Sequence, residues 1–185
     1  MKILIVEDRE DKLNSIKNVI NSFFDKSEIK VSKTYFSAKH EILNDSFDLV
    51  IMDMFLPDAK DNENLYGLAG KDLIFDMEDE DINIPVLVVT QYTEYCSIGK
   101  NDNIVNINIP LMLENQNYGK ALDCNSIIES DITFYQGLHE YLIQIIPFYL
   151  GIIFYSNKFP SWRNNLKYFL NKIKMEIRSE KKSEF

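Results

Sequence analysis

The sequence predicts a single doubly wound α/β domain on a parallel sheet. Three observations predict it. Short runs that are apolar on both faces recur along the chain, as central parallel strands should. Helical apolar stripes separate these runs. Several of the runs end in an acid or a hydroxyl. The 185-residue length fits one domain of moderate size. With 45% apolar and 26% charged residues, the chain falls among folded globular proteins and not among disordered ones.

Lys2–Val6, KILIV, is the first strand, and Glu7-Asp8 follows it directly. Residues 9–24 place Leu13, Ile16, Ile20, Phe23 and Phe24 on one side of a helix. Residues 31–36 read as a second strand and 37–43 as a short helix, with Ser37 as its N-cap. Residues 47–53, FDLVIMD, form a third strand that again ends in an acid. A polar loop then runs to Gly67, and a helix over 68–77 carries into the acidic run at 78–81. Residues 84–90, IPVLVVT, are the fourth strand. Strands alternating with helices of this length indicate βαβ units.

Residues 91–131 break the alternation and read as an insertion, with one short alternating segment at 104–109. A structureless loop of that length is unusual inside a compact domain. Residues 134–146 resume a helical face, and Pro147 stops it. Residues 150–155, LGIIFY, are a fifth strand, and a last helix is expected over 160–178. No repeat or flexible linker divides the chain, so residues 1–185 read as one domain.

The net charge of −9 argues against a nucleic-acid partner, which needs clustered Lys and Arg to neutralise phosphates. Cys96, Cys124, His40 and His139 match no zinc spacing. The two histidines read as solvent-facing or partly packed residues on helices. The most apolar stretch, 141–156, is shorter than the roughly 20 residues that span a bilayer, and it contains Gln144 and Pro147. The N-terminus lacks the pattern of a signal peptide. The expectation is a cytoplasmic protein without membrane contact.

In a parallel α/β sheet, ligands bind at the carboxyl ends of the strands. With the flavodoxin-like order 2-1-3-4-5, strands one and three are neighbours. Glu7, Asp8 and Asp53 then meet at the switch point. Three such carboxylates repel one another unless a cation sits among them, and oxygen-only donors favour a hard ion such as Mg²⁺. The arrangement suits phosphoryl transfer to Asp53 as nucleophile. Thr90 could donate its hydroxyl to the phosphoryl group, and a lysine near the end of strand five could add positive charge.

These features together resemble the receiver domain of two-component response regulators, of an atypical stand-alone kind. The resemblance is carried by Met1 to Asp8, by Asp53-Met54-Phe55-Leu56-Pro57, which fits the family's D-x-x-[LM]-P, and by the strand ending in Thr90. It covers residues 1–90 closely and 132–178 loosely. It implies that Glu7 and Asp8 hold Mg²⁺ with Asp53, that Phe55 adds a backbone carbonyl, and that Asp53 is the phosphoacceptor. It makes Thr90 the switch hydroxyl. For the family's lysine, Lys158 stands three residues after the aromatic Tyr155, the spacing expected of lysine and switch aromatic. An alignment by strand length instead puts Tyr155 at the lysine position. Ile109-Pro110 offers the usual proline but no lysine. The family glycine after the phosphorylation motif finds its nearest candidate in Gly67, so the loop after Asp53 is lengthened. Gln91 replaces a usual small residue.

The implied function is acceptance of a phosphoryl group from a histidine kinase or phosphotransfer protein, passed on to a downstream effector by protein contacts. The competing reading is a degenerate receiver kept as a phosphorylation-independent interaction module. An enzyme of the Asp-nucleophile phosphatase or metal-nuclease kind ranks below both, because the second acid of its D-x-D pair would fall at position 55, which is Phe.

Overall fold

A computed structural model describes residues 1–57, 68–91, 137–157 and 160–183. The chain runs β1 (Lys2–Val6), α1 (Glu10–Phe23), β2 (Glu28–Ser32), α2 (Tyr35–Asn44), β3 (Leu49–Met52), α3 (Ala69–Asp79) and β4 (Val86–Gln91). After β4 the next described elements are α4 (residues 137–145), β5 (Tyr149–Tyr155) and α5 (Ser161–Ser183). The strands form one parallel sheet in the order β2-β1-β3-β4-β5. This is the flavodoxin-like order expected from the alternation. The insertion expected over 91–131 falls outside the described residues except for Gln91, which belongs to β4.

Side-chain alternation on the strands divides the core in two. Leu4, Val6, Val50, Met52, Val88 and Ile152 face α2, α3 and α4 through Ile42, Leu73, Ile74 and Leu142. Ile3, Ile5, Ile51, Val89 and Ile153 face α1 and α5 through Ile16, Ile20, Trp162, Leu166 and Leu170. A strand with a helix layer on each side has no face left for polar residues, which is why its sequence reads as a continuous apolar run. Each fully buried aliphatic side chain contributes about 1.5–3 kcal/mol.

Two expectations need correction. The second strand lies at Glu28–Ser32, not at 31–36. Residues 35 and 36 belong to α2 because Thr34 caps that helix. Ser37 is therefore not the N-cap but its partner one turn in. Thr34 Oγ1 accepts the Ser37 N–H at 3.2 Å, and Ser37 Oγ accepts the Thr34 N–H at 3.3 Å. This reciprocal box satisfies two amide donors that a helix start leaves open. β2 is an edge strand, largely half-buried, so its apolar run is too weak to mark its limits.

β4 and β5 pair Val86 with Tyr149 and Leu87 with Gly151, so Leu150 is left without an opposite number. Gly151 takes φ 144°, a conformation open to glycine and strained for other residues.

On α4, His139 is fully buried, with Nδ1 3.1 Å from the Tyr149 hydroxyl. Its Nε2 has no hydrogen-bond partner among the described residues. Burial holds the imidazole below its ordinary 6.5, so the folded protein keeps it neutral where the unfolded chain protonates it. The stability this contributes is present above 6.5 and is lost as pH falls through the depressed value. Wild type is therefore expected to lose more stability than His139→Leu between about pH 7.5 and about pH 5.5, by up to about 1.4 kcal/mol per pH unit. Urea midpoints of the two proteins at both pH values check this. Equal losses would rule it out.

Candidate functional site

The carboxyl ends of β1 and β3 lie side by side. The Glu7 N–H donates to the Ser32 carbonyl at 2.9 Å, and the Asp53 N–H donates to the Val6 carbonyl at 2.9 Å. These bonds extend the ladders past the strand ends and fix where both acids leave the sheet. Gly70, in the first turn of α3, fixes Asp53 from the other side. Its N–H donates to the Met54 carbonyl at 3.0 Å. A Cβ at this position would fall 2.2 Å from the Asp53 carbonyl oxygen. Gly67, singled out from the sequence, lies outside the described residues, and Gly70 is the glycine that closes on the acid.

Asp53 is buried, and both its carboxylate oxygens are engaged. Oδ1 accepts the Thr90 hydroxyl at 2.8 Å, the Met54 N–H at 2.6 Å and the Phe55 N–H at 3.3 Å. Oδ2 accepts the Lys12 ammonium at 2.6 Å. Lys12 Nζ also lies 2.6 Å from Glu7 Oε2. That contact is a buried ion pair. Glu7 Oε1 accepts the Arg9 N–H at 3.1 Å. Ligand oxygens from Glu7, Asp8 and Asp53 all lie within 4.8 Å of one another.

Burial and charge oppose each other in this pocket. Burial pushes the Glu7 carboxyl from 4.5 up to about 7, against the attraction of Lys12 and with the repulsion of Asp53. Burial likewise raises half-buried Asp8 above its ordinary value. For Lys12, burial works against the charge, but the carboxylates of Asp53 and Glu7 outweigh it and hold the ammonium above its ordinary 10.5. A fully buried lysine is stable only when paired in this way.

The donor set fits a divalent ion. It consists of hard oxygens on three converging acids, two of which share the Lys12 ammonium. Phe55 stands beside this pocket with its N–H turned to Asp53. Thr90, near the end of β4, is fully buried and directed at Asp53. Tyr155, at the end of β5, is buried with its ring 4.8 Å from Trp162. Its hydroxyl donates to Asn157 Oδ1 and lies 3.2 Å from Ser15 Oγ, which can donate to it. Lys158 lies outside the described residues.

Sequence reasoning passed over Lys12. The signal was present in its spacing. Lys12 is four residues before Ile16 and eight before Ile20, which puts a charge on the buried stripe of α1. It also sits in the first helical turn, where the helix dipole disfavours a cation. A residue that breaks both local rules marks a site.

No family model matches the chain. Over 101 residues it is 35% identical to the Detocs response regulatory protein DtcB of Enterobacter cloacae, a match covering 50% of this chain and 66% of DtcB. The chain thus covers slightly less than two thirds of that relative. Among solved structures, it is similar to the response regulator TrrA of Thermotoga maritima. That match has 21% identity and a TM-score of 0.40, and covers 52% of this chain and 74% of TrrA. It is also similar to a CheY-like receiver domain of Methylobacillus flagellatus, with 18% identity and a TM-score of 0.39, covering 49% and 69% of the two chains. Taken with the sheet order and the acids gathered at its carboxyl edge, the likeness to DtcB supports a response-regulator receiver domain in this chain.

Proposed function

We propose that the chain receives a phosphoryl group on Asp53, with Mg²⁺ held by Glu7, Asp8, Asp53 and the Phe55 carbonyl, and signals by protein contacts. The observation that carries this reading is the Asp53 carboxylate itself. It stands at the sheet's carboxyl edge, with Thr90 on one oxygen and two further acids beside it. In the transfer, a carboxylate oxygen bonds to phosphorus as the phosphorus–nitrogen bond of a donor phosphohistidine breaks. The electron pair leaves with the imidazole. Mg²⁺ supplies positive charge that offsets the charge on the transferring group.

Thr90 is set to follow the reaction. Its hydroxyl donates to Asp53 before transfer and can redirect that bond to a phosphoryl oxygen afterwards. Movement of Thr90 within β4 and of Tyr155 on adjacent β5 would carry the change to the far face. Lys158 is the assigned lysine of this scheme. The donor is a cytoplasmic histidine kinase or phosphotransfer protein, and an effector protein reads the result. No enzymatic activity is assigned beyond self-phosphorylation and dephosphorylation. Among the described residues, no helix is long and apolar enough to cross a membrane.

Acetyl phosphate with Mg²⁺ is expected to add one phosphate to wild type and none to Asp53→Asn, read by intact mass. Beryllofluoride should perturb wild type alone. Identical behaviour of the two proteins would falsify the assignment.

One observation favours a second reading, the phosphorylation-independent interaction module. The Asp53 Oδ2 oxygen is already paired with a buried ammonium. On that reading, partner capture is indifferent to Asp53→Asn, and acetyl phosphate leaves wild type unmodified.

A further inference from the structure

We propose that the Lys12 ammonium is the resident counter-ion of the acid pocket, and that a divalent cation enters only by displacing it. This inference rests on the reading of Glu7, Asp8 and Asp53 as metal ligands, and adds a regulation of that site from within the chain. Lys12 Nζ contacts one oxygen of Glu7 and one of Asp53, each at 2.6 Å. Both acids belong to the converging cluster. Mg²⁺ would approach the same carboxylates to about 2.1 Å. Even on opposite sides of a shared oxygen, ammonium and metal would stand within about 5 Å of each other. In a pocket where Lys12 and Glu7 are almost wholly buried, water screens that repulsion poorly. The two cations also compete for the same oxygens, because Asp53 Oδ1 already accepts three hydrogen bonds and Glu7 Oε1 accepts the Arg9 N–H, and the lysine has a flexible four-carbon stem on which to leave.

The surroundings of Lys12 support a role as a movable plug. Burial and the helix dipole both oppose a cation in the first turn of α1, so the two carboxylates are what hold it there. A metal that takes those carboxylates removes the reason for the ammonium to stay. The acids therefore bind a divalent ion more weakly than an equal set without the lysine, and metal occupancy is coupled to the conformation of the α1 turn. A phosphoryl donor that arrives with Mg²⁺ meets an open Asp53, and one that arrives without it meets a neutralised acid.

The test titrates MgCl₂, and separately MnCl₂, into wild type, Lys12→Met and Lys12→Gln by calorimetry at fixed ionic strength. Both variants are expected to bind each ion at least about tenfold tighter than wild type. Equal or weaker binding in the variants, or no binding in any of the three, overturns the proposal. If both variants fail to fold, acylation footprinting of wild-type lysines decides. Lys12 is then expected to be protected in EDTA and to become reactive with saturating Mg²⁺, and unchanged protection overturns the proposal. The outcome separates from that of phosphorylation. Tighter metal binding in the variants with no phosphate on wild-type Asp53 leaves this inference standing and removes the phosphoacceptor reading. Phosphorylation of Asp53 with unchanged metal affinity does the reverse.

Discussion

Gly70→Ala is expected to lower stability by about 3 kcal/mol, the upper end for an overpacked site, and to slow modification of Asp53 by acetyl phosphate. The new methyl group would stand 2.2 Å from the Asp53 carbonyl oxygen and 2.8 Å from the Met54 Cα. Both obstacles are backbone, so neither can swing aside as a side-chain tip could. The conflict must be relieved by moving α3 off the sheet or by shifting the turn that carries the phosphoacceptor. The first loses contacts of Leu73, Ile74 and Met77. The second disturbs the amide N–H groups that hold Asp53 Oδ1. Urea unfolding and the rate of mass gain with acetyl phosphate check the two effects. A stability loss below about 1 kcal/mol would show that α3 yields freely, contrary to the packing argument.

Lys12→Met is expected to cost about 3–5 kcal/mol at neutral pH in EDTA, the range for breaking a buried ion pair by removing one partner. The methionine fills similar space but leaves the Glu7 and Asp53 carboxylates facing each other without a cation. Adding Glu7→Gln to this variant should recover part of the loss, because it removes a buried carboxyl, already pushed up to about 7 beside Lys12, that must otherwise take up a proton or repel Asp53 once the ammonium is gone. Non-additivity in the cycle of single and double variants measures the coupling. Additive losses would mean that Lys12 serves the fold through its stem alone.

The sheet order and the central strands were legible because a strand covered on both faces writes itself as an apolar run. Lys2–Val6 is the clearest case. Edge strand β2 was misplaced because half of its surface meets solvent and Thr34 resembles a strand residue until its capping bond is seen. In the site, Glu7, Asp8 and Asp53 were legible from their places just after strands, which topology alone brings together. Lys12 was not, because its partners come from two other elements 5 and 41 residues away in sequence. No local pattern names them, although its place on an apolar stripe hinted at burial. Gly70 escaped for a related reason. Its role is set by the Asp53 backbone, which is distant from it in sequence.

The unmatched Leu150 has a consequence at the far end of its strand. Before it, Tyr149 faces the α2–α3–α4 layer; beyond Gly151, the even-numbered Ile152 and Phe154 face that layer instead. One inserted residue has thus inverted the parity of β5. The odd-numbered Tyr155 is thereby turned to the opposite layer, onto Trp162 and within reach of Ser15. Deleting a single residue at this kink would restore simple alternation and leave Tyr155 on that layer, whereas a straight strand that kept the residue would present Phe154 there in place of the tyrosine. The orientation of the aromatic is thus decided at the opposite end of the strand.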